Sequence, residues 1–231
     1  LSSSLAQNWN TGSGGNAGRN GLSSETGPET EDILWEGGLF AVIAQQAVID
    51  GDVVAMSRIS DITDVLDGTD IVAQDLSTGN FLWTATLPVE DPDNDWRNRV
   101  SAIGNGYVYA TRSGNTNMSY MYALDINDGS ILWQSEGLVD ESSTESTNFR
   151  ADGALVVGNN RSILCIDPED GSTIWQIDRS SPTSNGQEVA IYENRGYFWE
   201  PTPFGPEITA IDLTRGERLY SSGALSPGLI Q

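Results

Sequence analysis

Short apolar runs alternate with polar turns along the whole chain, and no stretch holds a helical period. From residue 43 the pattern becomes regular. An alternating segment, a Gly-containing turn and a second apolar run recur as Ala47–Ala55, Val100–Ala110, Phe149–Val157 and Val189–Trp199. Period-two alternation around Asp-Gly or Asn-Gly predicts a β-hairpin at each of these places. A variable stretch follows each one, and then comes a second hairpin built on a phrase that repeats.

That phrase reads Ala73-Gln-Asp75-Leu-Ser-Thr-Gly79-Asn-Phe-Leu-Trp83, Ala123-Leu-Asp125-Ile-Asn-Asp-Gly129-Ser-Ile-Leu-Trp133, Cys165-Ile-Asp167-Pro-Glu-Asp-Gly171-Ser-Thr-Ile-Trp175 and Ala210-Ile-Asp212-Leu-Thr-Arg-Gly216-Glu-Arg-Leu-Tyr220. A small residue, an Asp, a Gly and an aromatic keep one internal spacing. The aromatic recurs after 50, 42 and 45 residues. The Gly supplies a positive φ for the turn, and the strand after it ends on the aromatic. Each unit is thus four short antiparallel strands in about 45 residues, the signature of a β-propeller blade.

The phrase resembles the tryptophan-docking repeat, Ala-x-Asp-x-x-Thr-Gly-x-x-x-Trp, of the PQQ-like (quinoprotein alcohol dehydrogenase-like) β-propellers. The first copy matches fully. The second departs at Asp128, the third at Cys165 and Asp170, and the fourth at Arg215 and Tyr220. The resemblance covers about residues 31–231 and implies an all-β ring of four-stranded blades, of which about four are expected here out of seven or eight. It further implies that each Trp packs between the small residue of its own blade and the Gly turn of the next. On that reading Ala73, Gly79, Trp83, Ala123, Gly129, Trp133, Cys165, Gly171, Trp175, Ala210, Gly216 and Tyr220 are structural.

The expected layout is a Ser/Gly/Asn-rich extended leader over 1–30 and a propeller portion over 31–231, with units at about 43–88, 97–138, 147–180 and 187–223. Asp32-Ile-Leu-Trp35 repeats only the end of the phrase, so residues 31–36 are expected to form a strand closing the last blade. Closing the ring then needs the remainder of the same chain or a second chain.

Charge narrows the partners. The sequence has 33 acidic and 11 basic residues, a net charge near −22, and all its basic residues are Arg. Such a chain does not suit nucleic acid or an anionic membrane surface, since phosphate contacts need clustered cations. The lack of His removes the usual general base and the commonest transition-metal ligand. The single Cys165 cannot form an intrachain disulfide, and it stands where the other copies have Ala, as a buried small hydrophobe does. No run approaches the ~18 apolar residues of a membrane span.

The resemblance also bears on catalysis. The quinone-dependent enzymes of the superfamily use a disulfide between adjacent cysteines, a calcium site and a catalytic Asp, and none of these maps onto this sequence. The expectation is therefore no quinone cofactor and no enzyme, but a secreted, cell-surface or periplasmic propeller that serves as a binding or scaffold module with a protein partner. The alternatives are a calcium-dependent enzyme working from acidic loops and a structural subunit of an extracellular assembly. Two acidic stretches could hold Ca²⁺: Asp91, Asp93 and Asp95, whose alternation resembles half of a calcium loop, and Asp61, Asp64, Asp67 and Asp70 in an insertion. Trp96, Arg97 and Arg99, placed on the connection into the second unit, are the candidate contact for a ligand or partner.

Overall fold

The computed structural model describes residues 30, 32–36, 41, 43–44, 47–61, 69–93, 95, 97–113, 118–139, 147–183 and 189–223. The leader, apart from Thr30, lies outside them. Every regular element among the described residues is a β-strand, and the strands form four antiparallel sheets in chain order.

Blade 1 comprises β1 (Ile43–Ala44), β2 (Val48–Asp50), β3 (Val53–Ile59), β4 (Thr69–Asp75) and β5 (Phe81–Ala85). β1 and β2 lie end to end along the same edge of β3, so they act as one interrupted inner strand. Blade 2 has β6 (Arg97–Gly104), β7 (Tyr107–Ser113), β8 (Ser119–Asp125) and β9 (Ile131–Val139). Blade 3 has β10 (Thr147–Phe149), β11 (Leu155–Gly158), β12 (Ser162–Ile166) and β13 (Thr173–Asp178), and blade 4 has β14 (Ala190–Tyr192), β15 (Arg195–Glu200), β16 (Glu207–Asp212) and β17 (Glu217–Ser221). The strands of each sheet pair in sequence order. First strands of successive blades touch, β2 with β6, β6 with β10 and β10 with β14, which sets the sheets radially as blades of a propeller. Residues 32–36 pair with no strand among the described residues.

The core sits between blades. One apolar cluster joins Ile71, Trp83 and Leu87 of blade 1 to Val100, Val108 and Leu124 of blade 2. A second joins Tyr109 and Met121 to Leu155 and Leu164, and a third joins Val156 and Ile163 to Phe198 and Ile211. Strand sequence explains this. Third strands have apolar, buried centres, with Ile71-Val-Ala73 and Ile163-Leu-Cys165 buried, because both faces of a middle strand meet a neighbouring blade. The outermost strand β13 alternates because only one side of it is covered, and β17 is exposed along its whole length.

The repeated phrase forms the joint between blades. Its small residue lies opposite its aromatic across the third and fourth strands, as Ala73 with Trp83, Ala123 with Trp133, Cys165 with Trp175 and Ala210 with Tyr220. A bulge follows the small residue in each pair, the sort of extra residue that re-aims a side chain. The Gly N–H donates to the Asp carbonyl at 2.8 to 3.0 Å in all four turns.

Candidate functional site

The joint residues come first, since they are the most regular side chains in the chain. Trp83 lies on the Gly129 turn, Trp133 on Gly171 and Trp175 on Gly216, and Trp35 lies likewise on Gly79. Each indole N–H donates to the carbonyl just after the Asp of that next turn: Trp35 to Leu76 at 2.7 Å, Trp83 to Ile126 at 2.8 Å, Trp133 to Pro168 at 2.9 Å and Trp175 to Leu213 at 2.8 Å. A Cβ on Gly129 would come within 2.5 Å of the Trp83 ring, and its φ is +74°. Glycine is therefore required twice, by conformation and by contact. The Asp side chains serve the turns too. Asp75 Oδ1 accepts from the N–H groups and hydroxyls of Ser77 and Thr78, and those hydroxyls hold its carboxyl below the usual range.

Cys165 is buried, and burial pushes its thiol up to about 11, where it is no nucleophile at neutral pH. Tyr220 differs from the other aromatics of the phrase. It is 55% exposed and no Gly turn covers it among the described residues.

In such up-and-down sheets the turns between first and second strands and between third and fourth strands fall on one face, and the remaining connections fall on the other. The second face holds a recess of about 130 Å³ lined by Glu90, Asp91, Asp95, Arg112, Tyr122 and Leu138 among others. The acidic stretch proves to be a self-closed turn here. Asp95 is buried, its Oδ2 accepts from the N–H of Glu90 at 2.9 Å and of Asp91 at 2.7 Å, and its carbonyl accepts from Arg112 Nε at 2.8 Å. Asp91 Oδ1 accepts from the Asp93 N–H at 3.2 Å. These carboxylates cap backbone rather than converge on a point, and among the described residues no three His, Cys, Asp or Glu side chains are grouped to hold a metal ion. Asp70 of the other acidic stretch sits in β4 and makes a two-pronged ion pair with Arg58, at 2.7 and 2.9 Å. Asp61 is exposed, and Asp64 and Asp67 lie outside the described residues.

Of the contact expected at Trp96, Arg97 and Arg99, the structure places two residues, and not on the connection where the sequence put them. Trp96 lies outside the described residues. Arg97 and Arg99 are not on a connection but inside β6, paired with Ser113 and Thr111 of β7 and half-buried. The strand begins early because Asn98 fastens it to blade 1: its N–H donates to Thr69 Oγ1 at 2.9 Å, its Nδ2 to the Thr69 carbonyl at 3.0 Å, and its Oδ1 accepts from Leu87 N–H at 3.2 Å.

Two arrangements have no counterpart among the expected sites. The first is a buried lock between blades 3 and 4. Glu200 is 2% exposed and forms a two-pronged pair with Arg218, while also accepting from Ser180 N–H and Thr209 Oγ1. Arg218 continues to the Asp178 carbonyl at 2.8 Å, and Arg179 lies over the Phe198 ring at 5.2 Å. Burial raises the Glu200 carboxyl, but the Arg218 guanidinium and the other donors outweigh it and hold the group at about 2.

The second is a recess of about 470 Å³ on the face of the tight turns. Its walls are the first hairpin turns of three blades: Asp50 from blade 1, Gly104 and Asn105 from blade 2, and Phe149 to Gly153 from blade 3. Asn105, held at φ +56°, donates from Nδ2 to the Gly153 carbonyl at 2.9 Å and so ties blade 2 to blade 3. Arg150 grips Asp152 with two bonds of 2.7 Å and reaches the Leu213 carbonyl of blade 4 at 2.9 Å. Asn105-Gly106 and Asp152-Gly153 are visible in the sequence as turns, but nothing local says that turns 48 residues apart face one cavity.

The docking geometry agrees with comparison to known proteins. The sequence profile of the outer membrane protein assembly factor BamB family matches residues 19–220, most of the chain. The chain belongs to that family of PQQ-like β-propellers. No curated protein matches it at the sequence level. Among solved structures, BamB from Moraxella catarrhalis aligns at 16% identity with a TM-score of 0.51, over 74% of this chain and 49% of its own. The quinohemoprotein alcohol dehydrogenase ADHIIG from Pseudomonas putida aligns at 14% identity and 0.52, over 79% and 34%, and a europium-containing methanol dehydrogenase at 13% and 0.55, over 76% and 40%. At these identities the likeness is one of fold, shared by an assembly factor and by dehydrogenases alike. The chain spans from about a third to half the length of these structures. No helix among the described residues is long and apolar enough to cross a membrane.

Proposed function

We propose that this BamB-family propeller segment is a protein-binding scaffold of the assembly-factor kind, working outside the cytoplasm without a quinone or other cofactor. The observation that carries this reading is the division of labour between repeated and unrepeated residues. Every Gly and docked Trp of the phrase is consumed in joining blades and each Asp in holding its own turn, whereas the first hairpin turns and the longer connections differ from blade to blade. A rigid frame with variable loops is how binding surfaces are built. The acidic balance favours a basic partner surface, steering encounter and rejecting anions.

The test uses the full-length protein. A photo-crosslinking side chain placed at Asp93 on the connection face and at Tyr192 on the turn face is expected to yield discrete protein adducts in the native cell from one of the two. Alcohols and sugars are expected to go unoxidised when quinone and calcium are supplied. Turnover under those conditions, or an absence of adducts from both faces, would contradict the proposal.

A further inference from the structure

We propose that this propeller is built to stand in concentrated salt: the carboxylates that every blade places on the turn face repel one another at ordinary ionic strength, and the blades reach full stability only when inorganic cations at about molar concentration screen them. The inference goes beyond the protein-binding reading and does not depend on what the propeller binds.

The charges of the chain are sorted by place. Each blade puts acid into its hairpin turns, with Asp52 in blade 1, Asp128 in blade 2, Asp152 and Asp170 in blade 3 and Glu193 in blade 4 all exposed on that one face. Hydrogen bonds from Ser130 and from Ser172 hold the Asp128 and Asp170 carboxyls below the usual range, so these groups stay ionised rather than shed charge by taking up protons. The cations go elsewhere. All 11 basic residues are Arg, and Arg112 and Arg179 are buried, the first donating to the Leu87 and Asp95 carbonyls and the second to those of Asn159 and Trp199. Arg97 and Arg99 are half-buried inside β6, and Arg218 holds Glu200 between blades 3 and 4. Arg161, Arg195 and Arg215 are exposed, too few to offset the acid around them.

Distance decides how much this matters. Packed sheets lie ~10 Å apart, so carboxylates on successive blades repel across about one screening length at ~0.1 M salt, but across about three at ~1 M, where that length falls to ~3 Å. Solubility alone asks for far less charge: a magnitude of ~2–8 suffices for a small domain, against −22 here. Self-repulsion on that scale works against the compact state. It acts where the fold is joined, because the turns that carry Asp128 and Asp170 are the ones on which Trp83 and Trp133 dock. A basic partner still finds its contacts in salt, since pairs that become buried are screened much less than an open surface.

The experiment follows thermal unfolding of the full-length protein by circular dichroism at neutral pH, in KCl from about 0.1 M to about 2 M. The midpoint is expected to rise by at least ~10 °C, most of it below ~1 M, where screening is nearly complete. A variant separates this from the general effect of salt on apolar burial. Asp52→Asn with Glu169→Gln and Glu193→Gln, all in exposed turns, should melt above the natural protein in dilute salt, and the difference should close as KCl rises. If the natural protein is unfolded in dilute salt and folds as KCl is added, the proposal is supported in the same way, and the triple variant should then fold at lower KCl. A midpoint that stays flat or falls with KCl would overturn the proposal. So would a triple variant that melts no higher than the natural protein in dilute salt, or one whose advantage persists undiminished in concentrated salt.

Discussion

Trp83 and Tyr220 occupy the same position in the repeated phrase, and each lies opposite an Ala across its strand pair. Trp83 is 6% exposed, with its N–H on the Ile126 carbonyl and its ring on Gly129, whereas Tyr220 is 55% exposed. The difference is that blade 2 supplies Trp83 with a turn and nothing among the described residues does so for Tyr220. A phrase is therefore half of a joint. The other half is the Asp-to-Gly turn of the blade that follows, and stability is held between units, as in other repeat proteins whose terms are those of nearest neighbours.

The largest expected effect sharpens that contrast. Trp83→Ala should cost ~3–5 kcal/mol of unfolding free energy, the usual penalty for emptying a large buried aromatic site, whereas Tyr220→Ala should cost under ~1 kcal/mol. Urea denaturation of the two variants side by side measures this. Equal losses would mean that the aromatic acts inside its own blade.

Next in size is the Glu200 lock. Glu200→Gln removes the charge of a buried group from Arg218, whose own side chain is 35% exposed, and after allowing for solvent screening should cost ~1–2 kcal/mol. The pH dependence has a definite sign. The folded carboxyl titrates at about 2 and the ordinary one at 4.5, so the lock contributes fully above pH 4.5 and its contribution is lost as pH falls toward 2. Acid unfolding followed by circular dichroism should show that limb in the natural sequence and a smaller one in Glu200→Gln.

Smaller still is the turn cap. Asp75→Ala removes an acceptor for two N–H groups and two hydroxyls in an exposed turn and should lower the denaturation midpoint by less than the Glu200 change does. The smallest effect concerns Cys165. Cys165→Ala restores the residue of the other three phrases and should change stability by less than ~1 kcal/mol, and thiol reagents should label the natural protein only once it is unfolded.

These expectations also mark how far residue order alone carries the structure. Blade count, hairpin positions and the opposition of Ala73 to Trp83 follow from a repeat whose spacing is visible, because each is a local or nearest-neighbour relation. Arg97 and Arg99 were misplaced because charge beside a Trp has the look of a loop, while the bonds that extend β6 run from Asn98 back to Thr69, 29 residues away. The spacing of Asp91, Asp93 and Asp95 displays alternating carboxylates but not that Asp95 turns inward to cap its own loop. The turn-face recess and the Glu200 lock depend on ring geometry. Asp50, Asn105 and Asp152 are near one another only because successive blades rotate about a shared axis, and no local motif encodes that convergence.

The central claim is that the aromatic of one blade and the glycine of the next form a single energetic unit. A double-mutant cycle on Trp83→Ala and Gly129→Ala tests it most directly, since the Cβ added at Gly129 would press into the Trp83 ring. Removing the ring relieves that clash, so the double variant should be more stable than the sum of the single losses predicts, with a coupling of at least ~1 kcal/mol. Losses that add within ~0.5 kcal/mol would show the two residues to be independent and would contradict the account.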